Sequence, residues 1–353
     1  MKPASAQPIG SICLLRLSAL GDVCNMVPVV RALRRRWPDA ELTWIVGRVE
    51  HRLIEDLPGV EYIVFDKRAG LAGILALRRA LRGRRFDVLL HAQVSLRANL
   101  LSLLVRARRR IGFDRARARE GHHLVVSETI PACAQQHQAL AFREFAKLLD
   151  ASVVEADRAL PIPESARQFA AQLLPEANRA VLISPASSHS GRNWSSDSYA
   201  RVADWVLANT SRPVVLIGGP SAAERDLGQA IVERMEGVPL NLIGKDTLKQ
   251  ALALIERSAC LVTPDAGPAH FAAALGVPVV GLYAATWSKR SGPLGSLDYC
   301  VDRFSEAARR YFQREPEQLR WGIRIEKPGV MDLIKSEEVI ASLASLLEEA
   351  AHR

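Results

Sequence analysis

The chain has 353 residues, 48% of them hydrophobic and 24% charged, with a formal net charge of +9. At about 100–200 residues per domain, this fits two globular domains and excludes a disordered or collagen-like chain. No apolar run reaches the ~20 residues of a membrane-spanning helix. The apolar N-terminal stretch is broken by Arg16 and Asp22 and lacks a small-residue cleavage site, so it does not read as a secretory signal. The five cysteines, Cys13, Cys24, Cys133, Cys260 and Cys300, form no C-x-x-C pair and read as thiols of the reducing cytoplasm.

In chain order, strands are expected at 11–17, 41–46, 61–65, 86–91 and 109–113. Helices fall near 24–37, 48–56, 70–83 and 95–107, with another at 135–150. In the first helix Met26, Val29, Val30, Leu33 and Trp37 share a face, with Arg31, Arg34, Arg35 and Arg36 elsewhere. Pro28 is placed in its first turn, where a missing N–H costs little. A Pro- and Ala-rich stretch at 157–178 reads as a linker carrying one helix. Strands resume at 180–184, 213–217, 239–243, 259–263 and 278–283, with helices near 196–209, 221–235, 247–257 and 267–275. A final amphipathic helix covers about 336–352. Strands alternating with helices predict α/β architecture with parallel sheets covered on both faces. Two such units predict two doubly wound domains facing a cleft, with ligands outside the carboxyl ends of the strands.

Two common nucleotide motifs are missing. The first strand is followed by Leu17-Ser18-Ala19-Leu20-Gly21-Asp22, and Gly218-Gly219-Pro220 lacks dinucleotide-fingerprint spacing. No G-x-x-x-x-G-K-[ST] loop occurs, so classical dehydrogenases and P-loop NTPases fit poorly.

The charge is uneven. Residues 1–150 hold 25 Lys and Arg against 14 Asp and Glu, whereas residues 151–353 hold 22 against 24. Single clusters such as Arg34-Arg35-Arg36 or Arg108-Arg109-Arg110 read equally as solvated helix faces. The bias of the whole half points to an anionic partner: nucleic acid, phospholipid headgroups or an acidic substrate.

Three places could carry chemistry. Asp22, just past the first strand, suits a helix cap, which is the commoner role there, or a general base at a cleft mouth. Thr263-Pro264-Asp265-Ala266-Gly267-Pro268-Ala269-His270 is a strand, a turn and a small-residue helix start, suited to an anion or to plain packing. Ser184-Pro185-Ala186-Ser187-Ser188-His189-Ser190-Gly191-Arg192-Asn193-Trp194 offers hydroxyls and a guanidinium for phosphate, or a polar loop.

The chain resembles the ADP-heptose–lipopolysaccharide heptosyltransferase family almost end to end. The resemblance rests on R-L-S-A-L-G-D-V at 16–23, A-R-E at 118–120, Q-Q-H at 135–137, S-P-A-S-S-x-x-x-R-x-W at 184–194 and D-A-G-P-A-H at 265–270. It implies two Rossmann-like domains of the GT-B glycosyltransferase architecture. The acceptor-binding domain would cover 1–165, with the C-terminal helix 336–353 packing back on it, and the donor-binding domain 166–335. It implies an inverting, metal-independent transfer of heptose from ADP-L-glycero-β-D-manno-heptose to the lipopolysaccharide inner core, on Kdo or a first heptose. The loop and the A-R-E and Q-Q-H matches lean towards the first transfer.

Residue by residue, the resemblance makes Asp22 the catalytic base. Arg16, Ser18, Lys67, Arg68, Arg119 and His137 fall on the acceptor side. Ser187, Ser188, Arg192, Glu224, Thr247, Asp265, Gly267 and His270 fall on the donor side. ADP-heptose is then a co-substrate, and neither a cofactor nor a metal is expected, since no Asp-x-Asp motif occurs. Two departures stand out. Many relatives carry Lys at the position of Arg192, and Thr or Ser at that of Ala266. The expected protein is a monomer at the cytoplasmic face of the inner membrane, bound peripherally through its basic half. The rival readings are a two-domain enzyme with another sugar donor, a nucleic-acid-binding protein and a silent relative without turnover.

Overall fold

The computed structural model describes residues 8–177 and 179–351, so Asn178 of the expected linker and the end of the last expected helix lie outside the described residues. The chain divides into two compact units, Met1–Pro161 and Ile162–Arg353.

The first unit runs β1 (Ser11–Leu15), α1 (Leu20–Arg36), β2 (Glu41–Gly47), α2 (Arg48–Ile54), β3 (Glu61–Phe65), α3 (Gly70–Ala80), β4 (Phe86–His91), α4 (Leu96–Ser102), β5 (Ala107–Gly112), β6 (Glu128–Thr129) and α5 (Gln138–Lys147). Its six strands are parallel, in the order β3-β2-β1-β4-β5-β6. From β1 the chain steps outward one way through α1 and α2, then returns past β1 and steps the other way through α3 and α4. Right-handed crossovers therefore set α1 and α2 on one face and α3 and α4 on the other. On the second face Leu77 and Leu81 beside α3, and Ala98 and Leu101 of α4, share one core with Leu15, Ile45 and Leu89. On the first face α5 packs along α1.

Helix α1 starts at Leu20, earlier than expected, which corrects two readings. Asp22 lies inside the first turn, and Pro28 lies in the helix interior. Gly21 and Pro28 are poor helix formers. Burial overrides them: Val23, Met26, Val27, Val29 and Val30 are fully enclosed, and their transfer from water outweighs a missing backbone bond.

The second unit runs α6 (Glu164–Leu173), β7 (Val181–Ile183), α7 (Ser196–Asn209), β8 (Val214–Leu216), α8 (Ala222–Val232), β9 (Leu240–Asn241), α9 (Leu248–Glu256), β10 (Cys260–Pro264), α10 (Gly267–Ala274), β11 (Val279–Tyr283), α11 (Ser288–Ser291), β12 (Val301–Asp302), α12 (Phe304–Phe312) and α13 (Ser336–Ala351). Its parallel strand order is β12-β11-β10-β7-β8-β9. Helix α13 belongs to this second unit, a correction to its expected place on the first domain. Val339, Leu343 and Leu346 of α13 join the core built around Ile183, Tyr199, Val262 and Leu282, and the helix packs on α7 and β11. Among the described residues no helix is long and apolar enough to cross a membrane.

Candidate active site

In each sheet the chain order reverses once, and the loops that part at the reversal leave a natural ligand position. In the first sheet the reversal lies between β1 and β4. The loop after β1 begins at Arg16, which is 7% exposed. Its Nη1 donates to the Ala92 carbonyl at 2.5 Å, just past β4. Its Nη2 donates to a carboxylate oxygen of Asp22. The guanidinium also lies 5.3 Å from the ring centre of Phe142 on α5. From β4's side, Gln93 Oε1 accepts the Leu17 N–H at 2.7 Å, and its amide faces Ser18 Oγ at 3.4 Å. At the end of β2, Gly47 donates its N–H to the Leu17 carbonyl at 3.0 Å, an approach open only to glycine, since a Cβ there would lie 2.5 Å from that oxygen.

Asp22 is not the cap of α1. Ala19 holds the N-cap position and no side chain caps it. The Asp22 carboxylate therefore sits in the first turn, favoured by the helix dipole and aimed by Arg16, with 30% of its side chain open to solvent. That combination suits a proton acceptor that must keep one oxygen free. Burial lowers the Arg16 pKa, and Asp22 and Glu50 oppose that shift. Burial also raises the Glu50 carboxyl above its ordinary value, partly offset by its own backbone N–H, Lys67 and Arg16. Glu50 and Lys67 thus share the electrostatic neighbourhood of Arg16.

The other residues expected on the acceptor side sit on separate supports. Lys67 and Arg68 are exposed on a single helical turn after β3, where Asp66 Oδ1 accepts the Arg68 N–H at 2.9 Å. Arg119 is exposed on the loop after β5, and that loop is fastened to α4. Asn99 Nδ2 donates to the Arg119 carbonyl at 3.3 Å and the Glu120 carbonyl at 2.8 Å, and the Glu120 carboxylate accepts the Leu96 N–H. His137 is buried as the N-cap of α5, its Nδ1 accepting the Ala139 N–H at 3.2 Å.

Asn99 also closes a buried network. The Phe113 N–H donates to His122 Nε2 at 3.0 Å, which leaves the His122 proton on Nδ1, 3.1 Å from Asn99 Oδ1. His91 Nε2 lies 2.9 Å from the same oxygen. Gly112 is required here, because a Cβ would meet His122 Nε2 at 2.4 Å. Burial pushes His91 from 6.5 down to about 3, and His122 down to about 4. Both rings are therefore neutral in the fold, while the unfolded chain binds protons below about pH 6.5. Stability is full above that value and falls as the pH drops towards 4, by at most about 1.4 kcal/mol per pH unit for each histidine. Urea unfolding between pH 7.5 and 4.5 should show this slope, and a His91→Gln variant should show a shallower one. Equal slopes would refute the assignment.

In the second sheet the reversal lies between β7 and β10, and Arg192 spans it. Arg192 is 6% exposed. Its Nη2 donates to Ser188 Oγ at 2.8 Å in the loop after β7. Its Nη1 donates to the Asp265 carbonyl at 3.1 Å after β10, and lies 3.6 Å from that residue's carboxylate. Its Nε faces Glu326 Oε1 at 3.2 Å, and the other Glu326 oxygen is 3.6 Å from His189. The Trp194 indole N–H, donating to the Ile334 carbonyl at 3.1 Å, fixes the end of the loop. The turn after Asp265 enters α10 at Gly267 with Ala266 as N-cap and no side-chain cap, which leaves the helix start suited to an anion. His270 stands in that first turn.

The structure thus joins Ser188, Arg192 and Asp265, and it joins Arg16 with Asp22. It gives other residues local duties. Ser187 Oγ donates to the His189 carbonyl at 2.7 Å. Glu224 accepts the Gly219 N–H at 2.6 Å and the Ser221 hydroxyl at 3.0 Å. Thr247 caps α9. Glu224 and Thr247 follow β8 and β9, at the same strand ends as Arg192. Sequence reasoning missed Gln93, Glu50 and Glu326. None stands in a motif, and Glu326 reaches Arg192 only through the fold. Among the described residues no three His, Cys, Asp or Glu side chains gather as metal ligands.

Comparison with known proteins adds a family. The profile of glycosyltransferase family 9 (heptosyltransferase) matches residues 74–319. The lipopolysaccharide core heptosyltransferase OpsX of Haemophilus influenzae is 35% identical over 336 residues, 95% of this chain and 96% of that protein. Among solved structures, the glycosyl transferase family 9 protein of Veillonella parvula superposes with a TM-score of 0.75 at 21% identity, covering 98% of this chain and 100% of that one. The Escherichia coli heptosyltransferase WaaC with ADP gives 0.70 at 19% identity, covering 96% and 99%. At these identities the two structures speak to the shared fold.

Proposed function

Since the chain belongs to glycosyltransferase family 9, the heptosyltransferases, and is a glycosyltransferase, we propose that it transfers heptose from ADP-L-glycero-β-D-manno-heptose to the lipopolysaccharide inner core. The anomeric centre is inverted, and no metal takes part. The observation that carries this reading is the Arg16–Asp22 pair: a solvent-reaching carboxylate, aimed by a buried guanidinium, at the reversal point of the first sheet.

In this mechanism an inner-core hydroxyl, on Kdo or a first heptose, gives its proton to the free Asp22 oxygen. The hydroxyl oxygen forms the new bond to the anomeric carbon from the face opposite the diphosphate. The bond from that carbon to the diphosphate oxygen breaks, and its electron pair leaves with ADP. Arg16 keeps Asp22 oriented throughout. Lys67, Arg68 and Arg119 meet the anionic groups of the acceptor, with Ser18 and His137 at the same side. On the donor side the open start of α10, at Gly267 and near His270, and the Ser188 hydroxyl face the charge growing on the diphosphate. Arg192 holds those two elements together and adds its charge at close range, while Asp265 and Glu326 balance it. Ser187 shares the diphosphate loop with Ser188, Glu224 lies towards the nucleoside, and Thr247 stands on a neighbouring donor-side loop. The acceptor is membrane-anchored, so the reaction belongs at the cytoplasmic face of the inner membrane.

The test is ADP release from ADP-heptose with Kdo₂–lipid A as acceptor and chelator present. Acceptor-dependent release supports the reading. Tight ADP binding without release, on this acceptor or its heptosylated form, would remove the proposed reaction. Preference for a UDP- or GDP-sugar would replace the donor.

A further inference from the structure

The α3–α4 face of the first unit has an outer surface that its fold does not explain. Helix α3 turns Gly73 and Leu77 inward, yet it also exposes Leu71, Ile74 and Leu75, at 79%, 38% and 59%. Helix α4 turns Ala98 and Leu101 inward and exposes Leu96 and Leu100, with Leu103 just beyond, at 56%, 57% and 62%. Both helices lie on one side of the sheet over one core, so these two apolar rows look outward from the same face. A surface helix normally carries polar residues there, and clustered exposed leucines mark a contact surface.

The charge around these rows names the partner. Between Lys67 and Phe113 the chain holds twelve Lys and Arg and a single acid, Asp87. That acid is used inside the fold, where it accepts the N–H groups of Gly10 and Ser11 at 2.8 and 3.0 Å. Some arginines of the segment are structural. Arg84 and Arg109 pair with Glu61 and Glu128, and Arg110 donates to the carbonyls of Val125, Val105 and Ser102. Those nearest the leucines are not: Arg78, Arg79, Arg82, Arg85, Arg97 and Arg106 are exposed and make no ion pair among the described residues. A second copy of the same face would oppose arginine to arginine. Nucleic acid would leave the leucines in water. An anionic bilayer satisfies both, taking the leucines into the acyl boundary and the guanidinium groups among the headgroup phosphates.

We propose that this α3–α4 face is the surface by which the protein lies on an anionic phospholipid bilayer. The inference rests on the reading of a lipid-anchored acceptor and gives it a location. Lys67 and Arg68, assigned to the acceptor, immediately precede α3, so docking would bring that turn to the bilayer from which the acceptor projects.

The experiment is flotation with vesicles of phosphatidylethanolamine and phosphatidylglycerol, or of phosphatidylcholine alone. Wild type should float with the anionic vesicles and stay in the dense fraction with neutral ones. The variant Leu71→Glu/Leu75→Glu/Leu100→Glu should lose binding at least about ten-fold, as should Arg78→Glu/Arg79→Glu. All these side chains are exposed, and a milder Leu71→Ser/Leu75→Ser pair guards against misfolding, checked by circular dichroism. Activity on a delipidated, water-soluble acceptor should be unchanged in every variant. If that activity is missing in wild type while flotation behaves as stated, the proposed reaction fails and the surface stands. Leucine variants that float like wild type would overturn the surface. So would equal binding to phosphatidylcholine, or a wild-type dimer in sedimentation that the variants abolish.

Discussion

Replacing Asp22 by Asn should lower kcat by about 10²–10⁴-fold, with donor affinity left within a few-fold. Asn keeps the shape and an oxygen that can accept the hydrogen bond from Arg16 Nη2, so the loop between β1 and α1 stays in place. It removes the one property the mechanism needs there, the capacity to take a proton. Asp22→Ala should be worse in a different way. It leaves the buried Arg16 Nη2 without the acceptor that Asn still offers, so a buried donor goes unsatisfied. The comparison therefore separates chemistry from architecture: Asn loses turnover and keeps its melting temperature, whereas Ala loses both. Steady-state ADP release, donor calorimetry and thermal melting read the three quantities. An Asn variant turning over within a few-fold of wild type would take Asp22 out of the reaction.

Replacing Arg192 by Ala should cost the second unit about 3–5 kcal/mol. The reason is the company Arg192 keeps: its removal takes the shared guanidinium from Glu326 and Asp265, both largely buried. At roughly 2–4 °C per kcal/mol for a unit of this size, the melting temperature should drop by about 10 °C. Donor affinity should fall by more than about ten-fold, because the loop after β7 and the turn after β10 lose their common fastening. Arg192→Lys should fall between. Lysine supplies the charge, but one ammonium cannot reach Ser188, the Asp265 carbonyl and Glu326 together. The double variant Arg192→Ala/Glu326→Ala should be less destabilised than Arg192→Ala alone, since one stranded charge is gone. A single variant that melts within 2 °C of wild type (about 1 kcal/mol or less) and binds donor equally would show that the hub has no structural weight.

Most of this architecture is legible in the chain because parallel α/β units repeat a coarse signal. Buried strands such as Val279–Tyr283 are continuous apolar runs, and the helices between them alternate at helical spacing. The failures have local causes. Two-residue strands such as Glu128–Thr129 and Val301–Asp302 carry no period at all. The start of α1 hides behind Gly21, and Pro28 in its interior is tolerated only because tertiary burial overrules it. In the site, residues inside motifs are readable: Asp22, Ser188, Arg192 and Asp265 stand where strands end and helices begin. Glu50, Gln93 and Glu326 are not, because each acts through a contact made far from its own place in the chain. The place of α13 is unreadable for the same reason, since an amphipathic helix announces an apolar face but not what covers it.

That last placement bears on how the protein is made. Had α13 completed the first unit, that unit could not have closed until the far end of the chain left the ribosome. With α13 in the second unit, every strand of the first sheet comes from one uninterrupted stretch of chain. The N-terminal unit can therefore finish folding during translation, while the second is still being synthesised.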